Sequence, residues 1–442
     1  DLHSFPTRRS SDLHIVQQEL QMVGTSGNLD YALGVFYFED ESSFRNNRGS
    51  LFPIAFTDTT SHDLDTQAWA VYSQGTWAPS DDSPLSLTLG LRYTEETKGA
   101  TYLWRSSANP AGFFGPFFAG QPMSSTYAAN ENAESQAPVA GIFGRSFEQD
   151  FSNVSGKFTL GWRLTDDINT YVTYSTGYKS GGYNGDFFDT NNNTGDLLRP
   201  EKMKNVEVGL KSSLLNDRMR LNASAFRYYY EDMHISTLYA RSNGSVASRI
   251  QNAGKAIRTG GELELAMMPF DNLTLSLAYT LLDGDFDEYP PVTAASGASI
   301  ANTVDFAHRG MSPDNQASVN IDWTIVRGSF GAVALNINAN WQDETFATAL
   351  ASDAYNTNAD TIVDTPVIFY QPPNEERTLL NARLSLQDVE IGGMTLRLGA
   401  WGKNLTDEEF REFNFNLGGS LGLNLAQYGE PRTYGLDLTV EF

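Results

Sequence analysis

The residue types that perform catalysis or bind metals are sparse in this chain and show no catalytic spacing. Cysteine is absent, which excludes thiolate catalysis, disulfides and cysteine-based zinc sites. No Ser-His-Asp set, glycine-rich phosphate loop or carboxylate pair stands out, and the histidines do not recur at metal-ligand spacing. We therefore expect no enzyme activity and no cofactor. The histidines are His3, His14, His62, His234 and His308.

One acidic segment places oxygen ligands at spacings that a calcium loop could use. Asp353, Asn356, Asn358 and Asp360 supply carboxylate and amide oxygens. However, no glycine makes the sharp turn of such a loop, and no glutamate follows at its far end. A solvated acidic loop is the more ordinary interpretation, so the prediction is that no metal is bound.

The elements that must position any functional residue are alternating segments of roughly ten to fourteen residues. From Ile15 onward apolar and polar residues alternate, as in Leu85 to Thr94 and Leu273 to Leu281. The last segment, Thr433 to Phe442, alternates strictly and ends on an aromatic carboxy-terminus. A period of two with one lipid-compatible face is typical of transmembrane β-barrel strands.

Short and long connections alternate along the chain. The short ones, such as Ala78 to Pro84 and Asn216-Asp217, are rich in the Pro, Asp, Asn and Gly that turns require. The long ones include Thr97 to Asp150 and Asp343 to Arg377. Outer-membrane barrels keep short turns in the periplasm and long loops outside the cell, and this pattern predicts about fifteen strands. The last strand would leave the carboxy-terminus in the periplasm.

Composition narrows the possible classes of protein. The mean hydropathy of the 442 residues is -0.36, and no stretch approaches the roughly 20 apolar residues of a transmembrane helix. A helical membrane protein is excluded, whereas a barrel is not, because only alternate residues face lipid. The formal charge of -24 opposes binding to a polyanion, so nucleic acid is not expected as a partner.

Ionisable residues recur on the polar faces of the predicted strands. They require a wet lumen or bulk solvent, because an unpaired buried charge costs several kcal/mol. Alternation alone therefore leaves open a soluble sheet with a solvated surface. Examples are Arg92, Lys157, Glu207, Glu262 and Arg397.

Five stretches carry a more specific signal: Tyr171 to Gly185; Leu198-Arg199-Pro200-Glu201 followed by Asn205 to Lys211; Asn252 to Lys255 followed by Gly261 to Glu264; Asn404-Leu405-Thr406-Asp407; and Gly429 to Gly435. In this order, and with Phe442 at the end, they resemble the carboxy-terminal part of the barrel of TonB-dependent outer-membrane receptors. The likeness covers nearly everything after Leu13.

The resemblance implies an all-β, antiparallel transmembrane β-barrel that is partial, with about fifteen of about twenty-two strands. The plug domain and the TonB box of the family do not precede Ile15, so the chain looks like a fragment that should not transport by itself. Residues 1–13, DLHSFPTRRSSDL, resemble a translated cloning adaptor or a disordered leader. Residues 14–442 would form the carboxy-terminal portion of the barrel.

By the same resemblance, the function would be TonB-coupled uptake of a scarce ligand, most often a ferric siderophore, across the outer membrane of a Gram-negative bacterium. The expected partners of a monomeric receptor are outer-membrane lipid and lipopolysaccharide, the barrel assembly machinery, TonB through a missing segment, and the small ligand. The assembly signal would comprise Tyr434, Gly435, Leu436, Leu438, Val440 and Phe442.

Ligand capture would fall to aromatic and polar residues of the extracellular loops. The run of four phenylalanines from Phe113 to Phe118 is the strongest candidate, because an exposed apolar patch of that size is unusual. The alternative is that loop aromatics pack against each other or form the upper girdle. The candidates are Trp104, Phe113, Phe114, Phe117 and Phe118 in one loop and Tyr178, Lys179, Tyr183, Phe187 and Phe188 in another.

Three other functions remain open. A passive porin or adhesin-like barrel would need neither plug nor energy. TonB-dependent uptake of an oligosaccharide or cobalamin would use the same machinery for a different ligand. A soluble carbohydrate-binding β-protein would be extracted in water, whereas a barrel should partition into detergent.

Overall fold

A computed structural model of the chain describes residues 9–50, 56–106, 142–183, 197–240, 246–252, 254–284, 286–288, 292–293, 299–300, 310, 312–346, 373–416 and 424–442. The regular structure in these residues is β-strand. None of them forms a helix that is long and apolar enough to span a membrane.

Fifteen strands form one sheet in which every neighbouring pair is antiparallel, as the sequence predicts. In the order of the sheet they are β1 (Arg9–Ser26), β2 (Leu29–Ser50), β3 (Phe56–Trp77), β4 (Leu85–Ser106), β5 (Ile142–Thr165), β6 (Ile168–Lys179), β9 (Glu201–Leu214), β10 (Met219–Glu231), β13 (Lys255–Phe270), β14 (Leu273–Asp283), β17 (Asn315–Gly328), β18 (Gly331–Gln342), β19 (Arg377–Ile391), β20 (Met394–Lys403) and β23 (Thr433–Glu441).

Eight shorter strands lie inside the long connections and pair locally. They are β7 (Gly182–Tyr183) with β8 (Leu197–Leu198), β11 (His234–Ala240) with β12 (Val246–Asn252), β15 (Val292–Thr293) with β16 (Ser299–Ile300), and β21 (Arg411–Asn416) with β22 (Asn424–Tyr428). The long connections thus gather at one end of the sheet, the long-loop end. The turns that join β1 to β2 and β17 to β18 lie at the other, the short-turn end.

The two faces of the sheet differ in chemistry. On β23, Tyr434, Leu436 and Leu438 are 80%, 85% and 60% exposed on one face, which we call the apolar face. Leu20 and Leu89 are exposed on the same face of β1 and β4. The opposite face is the polar face. Extended exposure of apolar side chains is unusual on a soluble protein and fits contact with lipid.

Strands β2 to β5 are longer than the sequence predicts. Each has 22 or 24 residues, whereas about 10 suffice to cross a bilayer. Both ends of the connection predicted from Thr97 to Asp150 are therefore strand, since β4 continues to Ser106 and β5 begins at Ile142. These strands lengthen toward the long-loop end.

The first strand also begins earlier than predicted. β1 starts at Arg9, and Leu13 pairs with Ser42 of β2. The boundary predicted at residue 13 therefore does not coincide with the start of regular structure. Residues 1–8 lie outside the described residues, and a foreign origin for the leader stays a prediction.

β1 and β23 are the two ends of the strand order, and a side chain on the polar face ties each of them to its second neighbour. The Tyr72 hydroxyl donates a 2.5 Å hydrogen bond from β3 to Glu19 on β1, with its ring over Gly34 of β2.

At the other end of the order, the Arg383 guanidinium reaches from β19 across Gly399 of β20 to Asp437 on β23. It donates two hydrogen bonds to the Asp437 carboxylate, of 2.7 and 2.6 Å. In both tethers a glycine leaves room for the crossing side chain, because a Cβ there would collide with it.

Candidate ligand-binding surface at the long-loop end

A row of aromatic rings crosses the polar face near the long-loop end of β2 to β5. Ring centroids lie 5.9 Å apart between Phe44 and His62, 5.3 Å between His62 and Tyr102, and 6.2 Å between Tyr102 and Phe147. Tyr183 of β7 completes this aromatic row by stacking on Phe147 at 5.5 Å. Such ring pairs stabilise by about 0.5–1.5 kcal/mol beyond their burial.

The aromatic row holds the start of the connection between β6 and β9 against the polar face. Tyr102 and Phe147 are only 4% and 8% exposed. Gly181 packs so closely on the Phe151 ring and the Leu198 carbonyl that a side chain would not fit. Burial, with the nearby Glu148 charge adding to it, raises the pKa of Tyr183 to about 12, so its phenol stays neutral. Gly181 and Tyr183, at the start of this connection, therefore pack against the polar face.

The sequence-predicted ligand residues fare differently. Tyr183 stacks on Phe147, and its contact with a ligand stays a prediction. Tyr178 is half-buried, and burial raises the pKa of its phenol, whereas Lys179 is exposed. Trp104 belongs to β4, but its side chain and the residues Phe113, Phe114, Phe117, Phe118, Phe187 and Phe188 lie outside the described residues. Their contact with a ligand stays a prediction.

Sequence reasoning missed Phe44, His62, Tyr102 and Phe147. Their shared face follows from strand register, which pairs Phe44 with His62 and His62 with Tyr102. Alternation would have placed them together had the strands been extended beyond the length of a membrane crossing.

A cavity of about 640 Å³ near the long-loop ends of β1 to β5 is rich in carboxylates. Within the described residues, no group of three or more His, Asp or Glu side chains is arranged to hold a metal ion. The predicted weak calcium ligands Asp353, Asn356, Asn358 and Asp360 lie outside the described residues. The carboxylates lining this cavity are Glu39, Asp40, Glu41, Asp63, Asp65 and Glu148.

Asn252 joins two of the sequence motifs in a clamp. Its side-chain oxygen accepts the Arg199 backbone N–H at 2.9 Å, and its amide nitrogen donates to the carbonyls of Arg199 and Asp232 at 2.9 and 2.7 Å. The Arg199 guanidinium pairs with Asp232 at 2.5 Å, and Glu201 accepts the His234 backbone N–H at 2.7 Å. The clamp fixes the start of β9 to the β11–β12 hairpin.

Asn404 makes a second clamp at the far side of the sheet. Asn404 is 5% exposed. Its side-chain nitrogen donates to the carbonyls of Glu408 and Glu430 at 2.8 and 3.1 Å, and its side-chain oxygen accepts the Glu408 backbone N–H at 2.9 Å. Its own N–H donates to the Asn381 side chain at 3.0 Å. The positive φ of 48° at this residue is one that asparagine tolerates. Two further motifs therefore meet where β20 leads into β23.

An ion pair beside the second clamp holds the approach to β19. The Arg411 guanidinium contacts the Glu375 carboxylate and donates to the Pro373 carbonyl at 2.9 Å. Arg411 lowers the pKa of Glu375 below its usual value of 4.5, against the opposing effect of burial. The carboxylate is therefore charged at neutral pH.

Across β14, β17, β18 and β19 the polar face carries side-chain amides in cross-strand register. Seven of sixteen positions are Asn or Gln, and only three are charged. We call these the amide rows. From the long-loop end they are Thr280, Gln316, Gln342 and Arg377; Ala278, Ser318, Asn340 and Leu379; Ser276, Asn320, Asn338 and Asn381; and Thr274, Asp322, Asn336 and Arg383.

The fold, the exposed apolar face and the motif clamps agree with a comparison of the sequence with known families. Residues 4–405 match the family described as TonB dependent receptor-like, beta-barrel. The chain belongs to this family. Its polar face is therefore the lumenal face of a TonB-dependent receptor barrel.

Two solved receptors share the fold. The ferric yersiniabactin uptake receptor from Yersinia pestis superposes with a TM-score of 0.69 at 17% identity, covering 99% of this chain and 55% of that one. The closed form of the ferric-catecholate import receptor from E. coli K12 gives 0.63 at 15% identity, covering 98% and 55%. This chain spans about half the length of each.

Sequence similarity to a curated relative is local. The pesticin receptor of Yersinia enterocolitica is 33% identical over 122 residues, which are 28% of this chain and 17% of that receptor. At these identities and coverages the solved structures establish the fold, and the ligand of this chain is a separate question.

Replacement of Asn404 by alanine should lower the free energy of unfolding by about 2 to 4 kcal/mol, because buried backbone groups lose partners and alanine disfavours positive φ. Urea titration of the protein in detergent measures this. Asn222→Ala, which removes one exposed bond to Glu264, is the matched control and should cost under about 1 kcal/mol. Equal effects would contradict the clamp.

Replacement of Glu375 by glutamine should remove an acid-sensitive contribution to the order of residues 373–376. Since the folded pKa lies below the usual value of 4.5, the ion pair contributes fully above that pH and is lost as the pH falls through the folded pKa. Hydrogen exchange of this segment between pH 7 and 3 measures the effect. The variant should exchange faster at neutral pH with a flatter profile; identical profiles would refute it.

Proposed function

We propose that the protein is an outer-membrane receptor that takes up a ferric siderophore by coupling to TonB. The observation that carries this proposal is the two-faced sheet of a TonB-dependent receptor, whose polar face holds an aromatic row and an amide-lined cavity at the long-loop end. An apolar face toward lipid and a wet polar face are what a ligand-conducting barrel requires. The long-loop end would face the cell exterior.

The aromatic and amide groups at that end suit capture of a small ligand, which needs stacking surfaces and a few polar contacts. The aromatic row holds the β6–β9 connection in place, so the phenylalanines Phe113, Phe114, Phe117 and Phe118 remain the proposed stacking surface. Lys179, which is exposed, is the proposed polar contact.

The proposed partners are outer-membrane lipid and lipopolysaccharide on the apolar face, the barrel assembly machinery at the β23 segment, and TonB. TonB would supply the energy for uptake. Relatives whose names describe ferric chelate uptake support iron as the cargo, and the proposed location is the outer membrane of a Gram-negative bacterium.

Deleting the complete gene in iron-limited cells should abolish uptake of at least one radioactive ferric siderophore, and returning the gene should restore it. Uptake should also stop when tonB is deleted or a protonophore collapses the proton motive force, because the barrel lumen alone supplies no energy. Uptake that persists without TonB would indicate a passive porin instead. Loss of oligosaccharide or cobalamin uptake, with iron unaffected, would contradict the choice of ligand.

A further inference from the structure

The two amide rows nearest the long-loop end line a cavity of about 390 Å³ on the lumenal face. It is distinct from the aromatic row, which crosses β2 to β5. The side chains that line it with polar groups are Thr280, Gln316, Ser318, Asn340, Gln342 and Arg377.

The cavity presents hydrogen-bonding groups that the protein leaves unused. Within the described part of the chain, the side chains of Thr280, Gln316 and Ser318 make no hydrogen bond. Asn340 donates to Asn338 at 2.6 Å, which leaves its own oxygen free, and Gln342 accepts from Arg377 at 3.2 Å, which leaves its nitrogen free. Donors and acceptors are thus interleaved over one surface.

The charge of the cavity is low. Arg377 is its one charged lining residue in the described wall, and its guanidinium lies 4.5 Å above the Phe410 ring. The guanidinium therefore already interacts with the ring and with the Gln342 side chain.

Many cations elsewhere at the long-loop end are already compensated by acidic partners. A strongly anionic ligand would therefore find these described cations already compensated, in a protein whose net charge is -24. The compensated pairs are Arg199–Asp232, Lys204–Glu231, Lys255–Glu288, Arg411–Glu375 and Arg432–Asp407.

We infer that this amide cavity binds an electroneutral ligand surface that displays carbonyl and hydroxyl oxygens. The inference deepens the proposed function and rests on it where the ligand is a ferric chelate. A neutral ferric trihydroxamate and a neutral oligosaccharide both present this chemistry. A ferric tricatecholate, which is strongly anionic, does not.

Calorimetric titration of the product of the complete gene, purified from outer membranes in detergent, tests the inference with three probes: ferrichrome, ferric enterobactin and maltoheptaose. Ferrichrome should bind more tightly than ferric enterobactin. Because the contacts are hydrogen bonds to neutral groups, raising the salt concentration should change its Kd little.

The double variant Gln316→Ala with Asn340→Ala should weaken binding by about thirtyfold, since it removes two hydrogen-bonding side chains. Both residues are exposed, so folding should be unaffected, and heat-modified gel migration checks this. Asn222→Ala, an amide on the same face near the short-turn end, is the control and should bind as the wild type does.

Binding of maltoheptaose alone, weakened by the double variant, would support the electroneutral site and overturn iron as the cargo. Preferential binding of ferric enterobactin would overturn the electroneutral site and leave ferric uptake standing. An unchanged Kd in the double variant, or no binding of any probe, would also overturn the inference.

Discussion

The constraint on which this structure depends is that a chain in lipid must satisfy its backbone N–H and C=O groups internally. The fifteen-stranded ladder does so wherever a strand is paired on both sides. β1 and β23 are the first and last of fifteen antiparallel strands, so they run in the same direction. Direct pairing between them would therefore be parallel. Hydrogen bonds to Glu19 on β1 and to Asp437 on β23 hold each of these two strands to its second neighbour.

The ladder also separates chemistry by face. Since side chains alternate, Leu436 and Leu438 can meet lipid while Asp437 between them pairs with Arg383 in the lumen. The same alternation carries the aromatic row on one side of the lumen and the amide rows on another. The candidate ligand-binding side chains therefore project from paired strands, and the clamps at Asn252 and Asn404 fix the ends of neighbouring connections.

Sequence predicts much of the fold because alternation and turn residues are local signals. The strand number, the antiparallel order and the short turns follow from them. The length of β2 to β5 does not follow, because polar residues such as Glu41 and Asp63 interrupt the apolar alternation that marks a membrane crossing. In the ladder, Glu41 nevertheless pairs with Asp65, and Asp63 pairs with Ser43. Those strands continue as sheet beyond the level of lipid.

The site was less predictable because its contacts are distant in sequence. Asn252 meets Arg199 only when β9, β10 and the β11–β12 hairpin are in register. Tyr183 meets Phe147 only when the residues that follow β6 pack against β5. The motif residues were recognisable, but their shared role as clamps required the geometry. Gln316 and Asn340 carried no motif, and only cross-strand register brings them together.

Thiol labelling along β23 in isolated outer membranes tests the central claim most directly, and the absence of cysteine gives it a clean background. Single variants Leu436→Cys, Leu438→Cys and Thr439→Cys would be exposed to a small water-soluble maleimide. A lipid-facing and a lumenal face predict protection at 436 and 438 and labelling at 439. Equal labelling at all three positions would contradict a membrane-spanning sheet.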